Sequence, residues 1–487
     1  MNGKKIVIVA SECQPFFASG GLGDVIGSLP KRIIKELNET GADNEISVIL
    51  PLYSKFSDEK LRNKLAYIGQ TTVQLSWRKQ YCGIFKYSDK GVDYYFLDNE
   101  YYFKKSNYYG YFDDGERFAF FSKAAIDAMA FLDIIPDILH CHDWQTGLVP
   151  VYLRTIYYND PRFVNVKKVF TIHNIEYQGI YSYDEDIIQD VFGIPSNEGY
   201  LLEYRGQLNI MKGAMEASNY VTTVSPSYAD EIQYAYFAKG LEFEVERVKK
   251  EGKLRGILNG IDKTFYNPAK DNALFVNYDK KTPELKKENK LHLQEMLGLP
   301  IDENIPMIGM VTRLVSHKGM ELVKTALGEI LKEKVQVVIL GTGDSYYEWF
   351  LRDMEHAFKG KLSVIIAFNQ DLSRKIYASS DLFLMPSVSE PCGLAQMIAC
   401  RYGALPIVRK TGGLADSIKD FSEPKGNGYV FDNIDAWEML AKVKQALADF
   451  EQKELWANNV KKAMAVDFGW TSSAKKYVEM YEELLTK

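Results

Sequence analysis

Two loops of nearly the same composition stand far apart in the chain. Gly20-Gly21-Leu22-Gly23-Asp24-Val25 comes after the apolar run Ile6-Val7-Ile8-Val9-Ala10, and Gly412-Gly413-Leu414-Ala415-Asp416 comes after Leu405-Pro406-Ile407-Val408. Each run reads as a buried parallel strand, and each loop opens a stretch with helical spacing. A strand, a glycine turn and a helix start together present free backbone N–H groups and the positive end of a helix dipole to an anion. One glycine-rich loop can be only a tight turn. Two of matching design suggest a single ligand clasped between two lobes.

Other strand ends carry side chains suited to the same ligand. Arg313 and Lys318 sit in a basic loop before a helix expected to begin at Gly319. They would converge beyond a strand's carboxyl end, where a planar fork and a compact ammonium suit diphosphate oxygens. A merely solvated basic loop is the blander reading. His140-Cys141-His142-Asp143 ends another strand. Side-chain alternation reads as one ring inward and one outward, with His142 facing the cleft. The same residues could be a zinc pair, although no third or fourth ligand follows at a credible spacing, or His140 could be plain core. His173, after Phe170-Thr171-Ile172, is a further strand-end histidine for the same cleft.

Glu390, in Ser389-Glu390-Pro391-Cys392-Gly393-Leu394, is a lone carboxylate with no partner acid for a glycosidase-style pair. It is expected to accept hydrogen bonds from hydroxyls, or to cap a helix. Gly341, in Gly341-Thr342-Gly343-Asp344, lets a nucleoside approach the backbone closely; Phe368 could stack a base or lie in the core.

These groups need a scaffold, and the chain is long enough for two domains of it: 487 residues, 46% hydrophobic and 25% charged. A formal net charge of -6 advertises no basic face, so neither nucleic acid nor an acidic membrane is an expected partner. Aromatic residues are 13% of the chain, with 32 Tyr, which serves packing or carbohydrate stacking. There is no signal-peptide core and no apolar span of membrane length. Five cysteines without metal-ligand spacing read as reduced thiols, so a cytoplasmic location is expected.

Strand-like and helical runs alternate throughout, which is the pattern of doubly wound α/β architecture. Strands are expected at residues 5–10, 45–50, 92–97, 138–140, 169–172 and 220–224, and again at 306–311, 335–340, 362–367, 382–385 and 405–408. Helices are expected at 26–37, 117–131, 147–158, 319–331, 345–358 and 372–378, with a final amphipathic one at 472–485. The segment 254–262 looks like the crossover between halves, and the Lys-rich stretch 267–290 reads as solvated interdomain surface. The tyrosine-dense loop 98–116 is too long and too aromatic to be idle or disordered. The fold class is therefore α/β, with two Rossmann-like lobes and an interdomain active-site cleft at the strand ends.

At this level of detail the chain resembles the bacterial and plant glycogen and starch synthases, retaining glycosyltransferases of GT-B type. The likeness runs through Gly20-Gly21-Leu22-Gly23-Asp24-Val25, the Tyr109-to-Asp114 stretch into Glu116-Arg117-Phe118, His142-Asp143-Trp144 and Thr171-Ile172-His173-Asn174. It continues through Thr223-Val224-Ser225-Pro226, Leu258-Asn259-Gly260-Ile261-Asp262, the Arg313/Lys318 segment, Ser389 to Leu394, and Arg409-Lys410-Thr411-Gly412. The resemblance implies transfer of glucose from ADP-glucose or UDP-glucose to the non-reducing end of an α-1,4-glucan, with retention and without metal or cofactor. It implies an acceptor-side lobe at residues 1–255, a donor-side lobe at 256–470, and a helix at 471–487 packing back on the first lobe.

Carried over by motif, Arg313, Lys318, His142 and Glu390 would be catalytic. Ser19, Gly20, Gly21, Asp24, Asn259, Gly341, Phe368, Cys392, Gly393, Leu394, Thr411 and Gly412 would hold the donor. Tyr109, Asp113, His173 and Tyr177 would meet the acceptor. One position departs from the family, whose first loop usually begins Lys-Thr-Gly-Gly-Leu; Ala18 stands here in place of the lysine. That removes one diphosphate contact and bears on the choice between ADP- and UDP-glucose.

Three rivals remain. A dinucleotide oxidoreductase lacks support, because the first loop is not the spaced fingerprint and no acid ends the next strand. A glucan-binding protein without turnover is made thinkable by Ala18. Another retaining nucleotide-sugar glucosyltransferase differs only in its product. Nothing in the chain sets an oligomeric state.

Overall fold

The computed structural model describes residues 3–39, 41 and 43–486. Two compact α/β units make up the chain: Met1–Gly260 together with Trp470–Lys487, and Ile261–Gly469. The first unit contains β1 (Lys5–Val9), β2 (Glu45–Pro51), β3 (Ala66–Leu75), β4 (Arg78–Asp89), β5 (Val92–Asp98), β6 (Ile138–His142) and β7 (Lys167–Ile172). A separate three-stranded sheet holds β8 (Ile180–Ser182), β9 (Glu203–Tyr204) and β10 (Gln207–Asn209); β11 (Tyr220–Thr223) and β12 (Leu254–Gly256) return to the main sheet.

The main sheet runs β12-β11-β7-β6-β1-β2-β5-β4-β3. It is parallel except for β4, which is antiparallel to both neighbours. Ile6, Val7, Ile8 and Val9 are all buried, as a strand covered on both faces requires. Strand order turns back at β1, with β2 on one side and β6 on the other. Right-handed crossovers through the helices Gly21–Asn38 and Asp114–Phe131 then leave on opposite faces. A crevice opens where they part, beyond the carboxyl ends of β1 and β6.

Because β12 extends this sheet beside β11, the first unit continues to Gly260, beyond the expected end at 255. The last helix, Thr471–Thr486, packs on Gly21–Asn38 and belongs to the same unit.

The second unit is one parallel sheet of β13 (Met307–Val311), β14 (Gln336–Gly341), β15 (Leu362–Ile366), β16 (Leu382–Met385), β17 (Leu405–Arg409) and β18 (Tyr429–Phe431), ordered β15-β14-β13-β16-β17-β18. Its order turns back between β13 and β16. Leu293, Leu299, Met307, Val338, Leu340 and Ile376 form a core that ties the helix Lys286–Met296 to the sheet.

That helix corrects the reading of 267–290 as solvated surface. Asp271, Tyr278, Lys286, Asn289 and Lys290 are buried, with their polar atoms paired. Lys286 Nζ donates to the carbonyls of Tyr377 (3.2 Å) and Ala378 (2.6 Å), at the C-terminus of the helix Gln370–Ser379. Lys290 Nζ meets Asp381 Oδ2 at 2.8 Å and the Glu303 carbonyl at 2.7 Å. Asp381 also accepts the Met307 N–H at 2.8 Å, at the start of β13. A charged segment without apolar periodicity is therefore interior here, because each ammonium finds carbonyls or a carboxylate.

Breaking a buried ion pair from one side leaves the other charge uncompensated. Lys290→Met is expected to cost the second unit about 3–5 kcal/mol, read as a lower urea midpoint; an unchanged midpoint would show that the pair contributes nothing.

Candidate functional site

In the first unit, the loop after β1 is organised by a residue the motifs did not single out. Glu12, buried between the strand and the glycine loop, accepts the Ser19 N–H, the Ser19 hydroxyl (2.7 Å), the Gly20 N–H (3.2 Å) and the Tyr109 hydroxyl (2.7 Å). Tyr109 also bonds Ser11 Oγ at 2.8 Å. The loop was expected to offer its N–H groups to an anion from outside. For Ser19 and Gly20 the anion is internal, and only the start of the helix at Gly21 remains for a ligand. Ala18 lies against this helix: a Cβ on Gly23 would stand 2.3 Å from Ala18 Cβ. Asp24 is half-buried in the helix's first turn, where the dipole favours a carboxylate.

Across the crevice, β6 ends in the histidines. His140 and His142 are both fully buried, and their rings stack 4.2 Å apart at 30°. The expectation of one ring inward and one outward is thus wrong: residues two apart on a strand share a face. His142 Nδ1 bonds His173 Nε2 at 2.9 Å, whereas His142 Nε2 is buried with no partner. Asp143 follows at φ 58° and ψ 174°, a positive-φ extended conformation that is costly for any residue with a side chain and that the surrounding hydrogen bonds must hold. Its Oδ1 accepts the His173 N–H at 2.7 Å and so ties the ends of β6 and β7 together. Burial pushes the Asp143 carboxyl up to about 7; the His173 N–H works against that shift, and the charge on Glu12 adds to it. Asn259, just beyond β12, is a second buried group with an unpartnered atom, Oδ1.

In the second unit, the loops after β13 and β16 are pinned to each other. The Val388 N–H donates to the His317 carbonyl at 2.9 Å, and Lys318 Nζ meets Glu390 Oε2 at 2.6 Å. Ser387 Oγ donates to the same carboxylate oxygen at 3.1 Å. Arg409 steadies this loop through the carbonyls of Ser387 (2.9 Å) and Val388 (2.6 Å). Gly319, at φ 79°, could not carry a side chain, since a Cβ would stand 2.0 Å from the Pro386 carbonyl oxygen. The segment bearing Arg313 is clamped on both sides. Gly341 lies so close to the Thr312 carbonyl that a Cβ would be 1.9 Å away, and the Leu314 N–H donates to the Thr342 carbonyl at 2.9 Å. The Arg313 side chain itself is exposed, with no hydrogen-bond or ion-pair partner among the described residues.

The second glycine loop stands against the same group. The Gly413 N–H donates to the Glu390 carbonyl at 3.0 Å, and a Cβ at Gly413 would be 2.1 Å from the Cys392 carbonyl oxygen. Thr411, Gly412 and Cys392 are buried beside it, with Gly393 at φ 69° and Leu394 half-buried. Phe368 is 87% exposed, so the core reading fails and its ring face is available. Of the residues assigned to the acceptor, Asp113 is ion-paired with Lys105 and Tyr177 is exposed.

Glu12 and Asp143 are the groups that motif reading missed. Glu12 carried one signal, a lone acid between a strand end and a glycine loop. Asp143 carried none beyond its neighbours. Among the described residues no group of three or more His, Cys, Asp or Glu could hold a metal ion, and no helix is long and apolar enough to cross a membrane.

Comparison with known proteins covers nearly the whole chain. Residues 5–245 match the family model of the starch synthase catalytic domain, and residues 295–463 match that of glycosyl transferases group 1. A glycogen synthase of Alkaliphilus metalliredigens is 45% identical over 485 residues, 99% of this chain and 100% of that protein. One from Anoxybacillus flavithermus is 44% identical, covering 99% and 98%. The catalytic domain of starch synthase IV from Arabidopsis thaliana, solved bound to ADP and acarbose, superposes with a TM-score of 0.90 at 34% identity over 100% of both chains. Sucrose-phosphate synthase from Thermosynechococcus elongatus shares the fold, with a TM-score of 0.62 at 16% identity over 99% of each chain.

The histidine cluster sets a pH dependence. Burial holds His140 down to about 3, with the charge of His173 adding to the shift, and holds His142 and His173 below the usual range. Below about pH 6.5 the unfolded chain binds protons that these rings refuse, so stability is lost as pH falls towards their folded values. Asp143 acts oppositely: raised to about 7, it stabilises the fold at low pH and loses that contribution as pH rises. It therefore offsets one histidine between about pH 4 and 6.5. Each uncompensated ring is expected to cost the first unit about 1.4 kcal/mol per pH unit in that window. Urea unfolding at pH 7, 6 and 5 measures it; a flat profile would mean that the rings protonate in place.

Proposed function

The chain belongs to the starch and glycogen synthase family of glycosyltransferases, and from that membership we propose that it transfers glucose from ADP-glucose to the non-reducing end of an α-1,4-glucan, with retention of configuration. It is an enzyme of GT-B fold, built on two Rossmann-like units. The observation that carries the mechanism is the unpaired Arg313 guanidinium in the same clamped loop as Lys318, whose ammonium Glu390 holds at 2.6 Å.

In the proposed reaction, the bond between glucose C1 and the diphosphate oxygen breaks as the glucan's 4-hydroxyl bonds to C1 on the same face. The hydroxyl proton passes to the leaving phosphate oxygen. Negative charge grows on that oxygen and positive charge on the sugar. Arg313 and Lys318 stabilise the former more in the transition state than in the ground state, which is what raises turnover. The Gly21 N–H and the turn at Thr411 and Gly412 add backbone donors, and Asp24, Asn259, Cys392, Gly393 and Leu394 shape the donor site. Glu390 and the unpartnered His142 Nε2 take sugar hydroxyls. Phe368 offers a face to the base, while Tyr109, Asp113, His173 and Tyr177 line the glucan side. The ADP held by the Arabidopsis enzyme supports an adenine nucleotide. Five buried cysteine thiols support a cytoplasmic setting.

ADP-glucose and UDP-glucose offered separately with glycogen test the reading by nucleotide release. Glycogen-dependent ADP release is expected. Arg313→Ala and Lys318→Ala should each lower turnover by about 10²–10³, the exposed Arg313 without a change in the urea midpoint; near-normal turnover in both ends this mechanism. Binding of glycogen with no release from either donor supports instead the non-catalytic reading prompted by Ala18.

A further inference from the structure

His142 is anchored from behind by residues that never approach the reacting atoms. His140 precedes it by two positions on β6, and both nitrogens of His140 are bonded: Nδ1 to the Tyr481 hydroxyl at 2.7 Å and Nε2 to Thr171 Oγ1 at 2.6 Å. Thr171, on β7, in turn bonds Thr222 on β11. Tyr481 comes from the last helix of the chain, and the Tyr477 ring from the same helix lies 5.8 Å from His140. All four polar partners, Tyr481, His140, Thr171 and Thr222, are fully buried.

An imidazole bonded at both nitrogens cannot flip or turn without breaking two hydrogen bonds in a dry interior. The His142 ring lies against that ring at 4.2 Å, tilted by 30°, and its Nδ1 is held by His173 at 2.9 Å. Only Nε2 of His142 is left without a partner. A buried nitrogen without a hydrogen bond is unfavourable unless something supplies the bond.

We propose that Tyr481 and His140 are positioning residues for His142: the hydroxyl of the C-terminal helix locks the His140 ring, and that ring fixes the plane in which His142 Nε2 meets a sugar oxygen. The inference rests on the reading of His142 as a substrate-facing group. Neither residue touches substrate, and their effect passes through stacking alone.

Tyr481→Phe removes one oxygen and keeps the packing ring. Two readouts separate positioning from bulk stability. In the substrate-free full-length protein labelled with 15N-histidine, the ring signals of His142, assigned by their loss in His142→Gln, are expected to shift. In assays with ADP-glucose and glycogen, kcat is expected to fall about tenfold while KM for the donor stays within about twofold, the pattern of a misaimed group. Thr171→Val removes the opposite anchor and is expected to move both readouts in the same direction, so a poorly folding Tyr481→Phe does not end the test. His142 signals unmoved in either folded variant overturn the proposal, whatever the activity. Signals that shift while kcat stays unchanged overturn it through the reading of His142 alone.

Discussion

A parallel sheet wound by right-handed crossovers has one position where neighbouring strands send their helices to opposite faces, and in both units the candidate residues stand there. In the first unit that position lies at β1 and β6, so the Glu12 loop faces the histidines and Asp143. In the second it lies at β13 and β16, so the loop with Arg313 and Lys318 faces Glu390. In open α/β sheets ligands bind outside the carboxyl ends of the strands at such a position. Everything else in each unit keeps those ends in place: the buried β-branched run of β1, the paired lysines under β13, and the carbonyl clamps of Arg409.

The candidate residues of the two units differ in charge. The first unit gathers three imidazoles kept neutral by burial around two carboxylates, and its glycine loop has already donated two N–H groups to one of them. The second gathers two cations and one carboxylate, with one cation left unpaired. Glu390 shields part of the charge on Lys318 and in exchange fixes where it points. The guanidinium of Arg313 keeps its full charge, and its backbone is clamped by strand-end contacts instead. Neutral, dry donors suit hydroxyls, and unpaired cations suit phosphate oxygens.

Most parallel strands and the glycine loops were legible because a strand covered on both faces is a continuous apolar run; the three-residue β12 and β18 are too short to show one. The hairpin of β3 and β4 was not legible, since the apolar residues of Ala66–Leu75 do not alternate over its length and only Val73 and Leu75 are buried. Lys286 and Lys290 misled for a related reason: hydropathy counts a lysine as outside, whereas here carbonyls and Asp381 replace its water. At the site, residue types were readable and their partners were not. Nothing in the chain's order says that Glu12 takes the N–H groups of Ser19 and Gly20, or that a tyrosine some 340 positions away, Tyr481, bonds His140.

The second unit is a guest in the topology of the first. It enters after Gly260 and leaves at Gly469, and its own ends lie side by side: the Ile261 N–H donates to the Phe468 carbonyl at 2.8 Å, and Lys263 Nζ meets Asp467 at 2.8 Å. A ribosome therefore cannot complete the host until the guest has been made, because the helix carrying Tyr481 follows the guest in the chain. Until that helix emerges, the imidazole of His140 waits without its phenol.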